Sequence, residues 1–298
     1  MNNLRSATKF INMMAVVTTS LFLFLIALAS EAKEPPVATK YYEKEFDNSV
    51  DALPKNFKGH DARAIFKTLV KNKGFNKTNF ESDNEYAERI AKSAESIYLT
   101  KTLPLNAKLA FVIDYRYSQY KSNIYHANSH VIHPASLSNY RQQLFLGGFD
   151  GFLWDSKAIN RGNYIGSNAY GVSKRIRSLK MDQTWISFNQ MEFVTHMGIK
   201  DFRWFQPLGT QSEFPMSPED AMQAKDNMNM LLIGTTSPPY YVKEHEHISP
   251  TLDKPNDADI DISAINMDIE QIWFFDSKSG RIYHRLVSKH LNAASSSR

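Results

Sequence analysis

Residues 269–286 read Ile269-Glu270-Gln271-Ile272-Trp273-Phe274-Phe275-Asp276-Ser277-Lys278-Ser279-Gly280-Arg281-Ile282-Tyr283-His284-Arg285-Leu286. Two runs rich in β-branched and aromatic residues flank five turn formers that end in glycine. That pattern predicts an antiparallel hairpin. Upstream, Leu231-Leu232-Ile233 reads as a buried strand. From residue 108 the apolar period is two, with Ala110, Val112, Asp114 and Arg116 alternating with Phe111, Ile113, Tyr115 and Tyr117. Such alternation is the mark of a strand. Further strand-like runs lie at 122–132, 143–148, 168–178, 183–190 and 201–206, and Gly147, Gly148, Gly151, Gly162 and Gly166 punctuate them.

The helical signals lie outside this block. Ala62, Ile65, Phe66, Leu69 and Val70 form one apolar stripe, which predicts a helix over 61–72. Ser82-Asp83-Asn84-Glu85 has capping-box spacing and opens a helix to about residue 96. Ser217-Pro218-Glu219-Asp220 gives a cap, a proline at the first helical position and acids on the positive end of the dipole, predicting a helix to 229. Two helices followed by many strands with one later helix indicate an α+β fold with a largely antiparallel sheet. No strand alternates with a long helix, which removes the doubly wound nucleotide folds. The expected organisation is one α+β domain over 59–290. A linker or surface arm precedes it over 30–58, with Pro35, Pro36 and Pro54, and a disordered tail follows over 291–298. Residues 237–262, polar and with four prolines, read as a long loop.

Arg5 and Lys9 precede an apolar run at 13–29, with small residues at Ala27-Leu28-Ala29 and again at Ser30-Glu31-Ala32. The order predicts a secretory signal peptide over 1–29, cleaved after Ala29 or Ala32. Retention of the run as an anchor is the competing reading. The 298 residues include no cysteine. That excludes disulfides, iron–sulfur clusters, Cys-ligated zinc, thiol catalysis and a lipoprotein anchor. Lysine and arginine number 35 and acids 31; without Arg5 and Lys9 the bases fall to 33. A near-neutral chain has no electrostatic warrant for nucleic acid. Export without cysteine fits a periplasmic or secreted bacterial protein. Membrane contact is expected only through the signal peptide.

The G-x-S-x-G, G-x-x-x-x-G-K, G-x-G-x-x-G and H-E-x-x-H signatures are absent. Four constellations remain. In His245-Glu246-His247 both imidazoles share one side of an extended strand and could grip a metal, with His126, His130 or His133 as a third ligand. The plainer reading is exposed loop residues and sheet histidines. Asp257, Asp259, Asp261 and Asp268 imitate a calcium loop, but Ile262 stands where glycine must turn the chain. The plainer reading is an acidic solvated loop. Tyr115, Tyr117, Tyr120, Tyr125, Trp154, Tyr164 and Tyr170 form an aromatic set able to stack on a sugar ring or a partner, or simply to pack across strands. Asp150, Asp155 and Glu192 offer an acid/base pair for glycan cleavage, as any chain with this many acids does.

Phe80-Glu81-Ser82-Asp83-Asn84-Glu85-Tyr86-Ala87-Glu88-Arg89 resembles an F-E-T-x-x-E-Y-x-x-R segment of uncharacterised exported bacterial proteins. Tyr164-Ile165-Gly166-Ser167-Asn168-Ala169-Tyr170-Gly171 is similar to their Y-x-G-x-N-A-F-G segment, with Tyr170 in place of the usual Phe. Ser217–Asn229, Pro250–Pro255 and the closing hairpin follow in matching order. The resemblance implies a periplasmic or secreted α+β protein and supplies no activity or catalytic residue.

The resulting expectation is a non-enzymatic binding module of the bacterial envelope, acting on a protein, a glycan or another envelope component. Its candidate surfaces are Tyr115, Tyr117, Tyr164, Gly166, Asn168, Tyr170 and Gly171, with the 238–255 stretch. No cofactor is expected; zinc or calcium are the only candidates. The alternative is a metal-dependent hydrolase in which His245 and His247, with His126 or His130, hold the metal and Glu192 or Glu246 activates water.

Overall fold

The computed structural model describes residues 40–75, 77–94, 96–114, 124–133, 142–144, 149–189, 197 and 213–288. The expected signal peptide, the tail, the 201–206 strand, and Tyr115 and Tyr117 lie outside the described residues. The fold is a strand-rich mixture of helices and a largely antiparallel sheet. Helix α1 is Ala62–Lys71, α2 is Asp83–Ser93 and α3 is Pro218–Ala224. The strands are β1 Leu109–Ile113, β2 Ile124–His126, β3 Val131–His133, β4 Gln142–Leu144, β5 Phe149–Ser167 and β6 Ser173–Asn189. They continue with β7 Phe214–Pro215, β8 Met228–Ile248, β9 Asn256–Asp276 and β10 Ile282–Val287. Among the described residues no helix is long and apolar enough to cross a membrane.

The helix starts follow their capping chemistry. Asp61 accepts from the Ala64 amide. Ser82 and Glu85 close a reciprocal capping box. Ser217 caps the Asp220 amide behind Pro218. Helix α3 stops at Ala224, short of the expected 229, because Met228 and Asn229 are drawn into a ladder with Asp276 and Phe275. Tertiary pairing overrides local helix signals there.

The main sheet runs β1-β8-β9-β6-β5-β4, with β10 also on β9. Its pairs are antiparallel except β6 with β9. One edge of β9 is shared end to end: β6 takes residues 256–266 and β10 takes 271–275. β2, β3 and β7 form a separate small sheet. The expected hairpin at 269–286 is present as β9 and β10. The long loop expected over 237–262 is not. Most of it is strand, and only residues 249–255 turn. The ladder shifts between Thr236 and Tyr241, where Pro238 and Pro239 have no N–H to give. Likewise Gly162 and Gly166 do not end a strand but lie inside β5, with a bulge between Asn160 and Gly162.

Alternation along these strands covers both sheet faces. One face carries Phe111, Phe152, Ile186, Ile265, Met267 and Phe274, covered by Ala62, Ile65, Phe66 and Leu69 of α1. The other carries Ala110, Leu231, Ile233, Trp273 and Phe275. Phe46, Leu53 and Phe57 cover it, so the supposed surface arm contributes buried core. That segment is tied by backbone bonds from Leu53 N–H to Gly280 O (2.9 Å) and Asn56 N–H to Ser277 O (2.9 Å). The Arg285 guanidinium also donates to the Val50 carbonyl.

His60 rivets the segment to β1. Its ring is buried; Nδ1 accepts from the Ala110 amide at 2.9 Å and Nε2 lies 2.8 Å from the Lys44 carbonyl. Those partners suit the neutral tautomer with the proton on Nε2. Burial pushes the His60 pKa down, as it does for His284, which stacks on Phe214 at 4.6 Å. The unfolded chain therefore binds protons that the native state refuses. The contribution of these two rings to stability is full above about pH 6.5 and falls as pH drops from there through their lowered native pKa values. Urea titrations at pH 7.5, 6.5 and 5.5 should show successively lower midpoints, and His60→Gln should flatten the trend. A midpoint constant over that interval would contradict a neutral buried His60.

Candidate functional site

Strands β5 and β6 are joined by residues 168–172, and β8 and β9 by residues 249–255. In the first turn the Asn168 side-chain oxygen accepts from the amides of Tyr170 and Val172, each at 3.0 Å. Gly171 supplies the left-handed φ of +79° that the turn needs. The hydroxyls of Ser167 and Ser173 meet at 2.6 Å beneath it. In the second turn Thr251 N–H donates to the Lys254 carbonyl, and Lys254 N–H donates to the Thr251 hydroxyl, both at 3.0 Å. Because β6 and β9 run parallel, the two turns arrive side by side. Arg177 N–H donates to the Pro255 carbonyl at 3.0 Å, and the Lys174 ammonium donates to the Leu252 carbonyl.

These paired tips expose large apolar side chains. Tyr170 is 92% accessible, with Val172 and Leu252 also exposed on the turns; Tyr164, Ile165 and Ile248 are exposed on the strands leading to them. Thus Asn168 and Gly171 build the turn that displays Tyr170, whereas Tyr164 and Gly166 lie in β5 behind it.

One sheet face behind the tips carries a charge ladder. Asp261 on β9 meets the Lys180 ammonium at 2.8 Å and His245 Nδ1 at 2.9 Å. Asp259 meets Arg161 at 2.8 Å and His247 Nδ1 at 2.9 Å. Asp257 accepts from the Tyr164 hydroxyl at 3.1 Å. The hydrogen bond from His247 holds the Asp259 carboxyl below its usual range, and that bond raises the His247 pKa in turn. The Lys180 hydrogen bond, then that of His245, lowers Asp261.

His245 and His247 do share one strand side, but each imidazole is engaged by an aspartate. His126 and His130 lie on and beside the β2–β3 hairpin, in the other sheet, where His130 Nδ1 sits 3.0 Å from the Tyr125 hydroxyl. Among the described residues no group of three or more His, Asp and Glu is placed to hold a metal ion. Glu246 pairs in register with Ile260, on the sheet face opposite His245 and His247, so it does not stand beside them as a base. Residues 257–261 form neither a calcium loop nor the solvated acidic loop of the plainer reading. Asp257, Asp259 and Asp261 lie on an extended strand with Ala258, Ile260 and Ile262 buried between them. Nothing there wraps around an ion.

Of the proposed carboxylate set, Asp150 is buried in β5, Asp155 pairs with Arg63 at 2.6 Å, and Glu192 is outside the described residues. Asp155 does border an open cleft of about 380 Å³ with Tyr41, Asn56, Lys58, Asp114 and Trp154. The Tyr41 and Trp154 rings lie 6.0 Å apart there. Burial and then the neighbouring Asp61 and Asp155 raise the Tyr41 pKa. Sequence spacing gave no sign of this cleft, because Tyr41 and Asn56 reach it from a segment read as linker.

No family model matches the chain, and neither does a curated protein or a solved structure. The site is therefore read on its own geometry.

Proposed function

We propose that the protein is an exported, non-enzymatic binding module of the bacterial envelope that engages its partner through the paired hairpin tips. The observation that carries this reading is the adjacency of two cross-braced turns displaying Tyr170, Val172 and Leu252, with Ile165 and Ile248 exposed on the strands that lead to them. Exposed apolar groups gathered in one place mark interaction sites, whereas scattered ones need no explanation. The export expectation rests on the charged, apolar and small-residue order of the first 32 residues.

Deleting 238–255 is a poor test, because residues 241–248 pair with 258–265 and their loss would dismantle the sheet. Point changes serve better. A photo-crosslinking residue at 170 or 252 should form adducts with an envelope component in whole cells, while the same residue at the exposed positions 80 and 222 should not. Equal adduct yields at all four positions would refute the reading. Tyr170→Ser with Leu252→Ser should leave the melting temperature near that of wild type, since exposed substitutions of this kind change stability by roughly 0.5 kcal/mol or less.

A further inference from the structure

Resting on that reading, we infer that the component engaged by the tips is the anionic surface of a phospholipid bilayer. Three observations converge. The first is the placement of the apolar groups. Tyr170, Val172 and Leu252 project from turns at the end of long strands, where a hairpin can dip into an interface. Tyrosine suits that depth, with an apolar ring and a polar tip.

The second is charge. Residues 163–178 contain Lys174, Arg175 and Arg177 and no acid; residues 248–256 add Lys254 against Asp253. All four basic residues are exposed. Around the tips this makes a positive collar. Asp257, the next strand carboxylate, offsets a further charge, so four bases against Asp253 and Asp257 leave the region basic. Long basic side chains keep their stems on apolar surface and their heads at headgroup level. Each one near an anionic leaflet strengthens binding roughly fivefold.

The third is the backbone. A segment entering an apolar medium must satisfy its own amides. The amides of Asn168, Tyr170, Gly171 and Val172 are all bonded within the turn, to the Val172 carbonyl and to Asn168. A standard protein interface, by contrast, takes about 20–30 residues a side. The tips offer a much smaller contact.

The test is flotation of the exported protein, purified from cells, with vesicles of pure phosphatidylcholine and of phosphatidylcholine mixed equally with phosphatidylglycerol. Binding should appear only with phosphatidylglycerol. It should fade between about 0.1 M and 1 M salt, as the Debye length falls from ~10 to ~3 Å. Arg175→Glu with Arg177→Glu reverses two charges and should weaken partitioning by roughly a hundredfold or more. Tyr170→Ser with Leu252→Ser should abolish flotation with the melting temperature retained. Absence of flotation at low salt overturns the inference, and so does flotation that both variants leave unchanged. In the latter case the lipid contact lies elsewhere, as in the apolar run at 13–29. Should crosslinks at 170 capture a protein in cells while the purified chain ignores vesicles, the lipid inference falls and the tip reading stands. Should position 170 capture nothing and vesicles not bind, both fall.

Discussion

Gly280→Ala should destabilise the protein by about 3–4 kcal/mol, and Gly171→Ala by only about 1 kcal/mol. The two glycines have nearly the same backbone, with φ of +80° and +79°. An L residue meets the same left-handed penalty at both. Their surroundings differ. A Cβ on Gly280 would stand 1.9 Å from the Leu53 carbonyl oxygen, whereas one on Gly171 would meet nothing within 4 Å. Backbone cannot swing aside as a side-chain end can, so the 280 variant must part the 50–57 segment from the closing hairpin. Urea unfolding of the two variants gives the difference directly. Equal losses would mean that the close approach of Gly280 to Leu53 does not hold the fold together.

Trp273→Ala should cost about 4 kcal/mol. The indole is fully buried, with Phe46 edge-on at 5.5 Å and the Arg285 guanidinium over its face at 4.3 Å. Its N–H donates to Gln271 Oε1 at 2.8 Å. Truncation would leave a cavity between β9 and the 40–58 segment, and the Gln271 amide would lose its partner. Trp273→Phe should lose markedly less, because it keeps most of the apolar volume. Limited proteolysis should cut the alanine variant first within 40–58, where the packing has been removed. A loss below about 1 kcal/mol would show that the segment is held by its backbone bonds alone.

Much of this was legible in the residues. Helix starts at Asp61, Ser82 and Ser217 are local events, set by one side chain and the amides beyond it, and local chemistry reads them well. The hairpin at 269–286 is legible for the same reason. The long arms were not. Val242-Lys243-Glu244-His245-Glu246-His247-Ile248 and Asp257-Ala258-Asp259-Ile260-Asp261-Ile262 do alternate with period two. Nearby prolines and many charges, both of which favour loops, mask that alternation. The charges are tolerated because each aspartate finds a cation or a donor on β5, β6 or β8, and such partners are distant in sequence. The pairing of His245 and His247 on one side of a strand was anticipated. Their aspartate partners are not visible locally, and those partners engage both imidazoles in surface hydrogen bonds. The turn at 168–172 lies beside the one at 249–255 through the parallel β6–β9 register, which no local signal announces.

The bonds from 52–56 to 277–281 also set an order of events. The partner of the segment that covers Trp273 is made more than two hundred residues after it. While the chain is being synthesised, the β5–β6 and β8–β9 hairpins can zip locally, but Leu53 has no carbonyl to reach until Gly280 has emerged. Contacts so distant in sequence form slowly. During synthesis the 50–57 segment therefore stays undocked, and the sheet face bearing Trp273 stays uncovered, until residues 277–281 have been made.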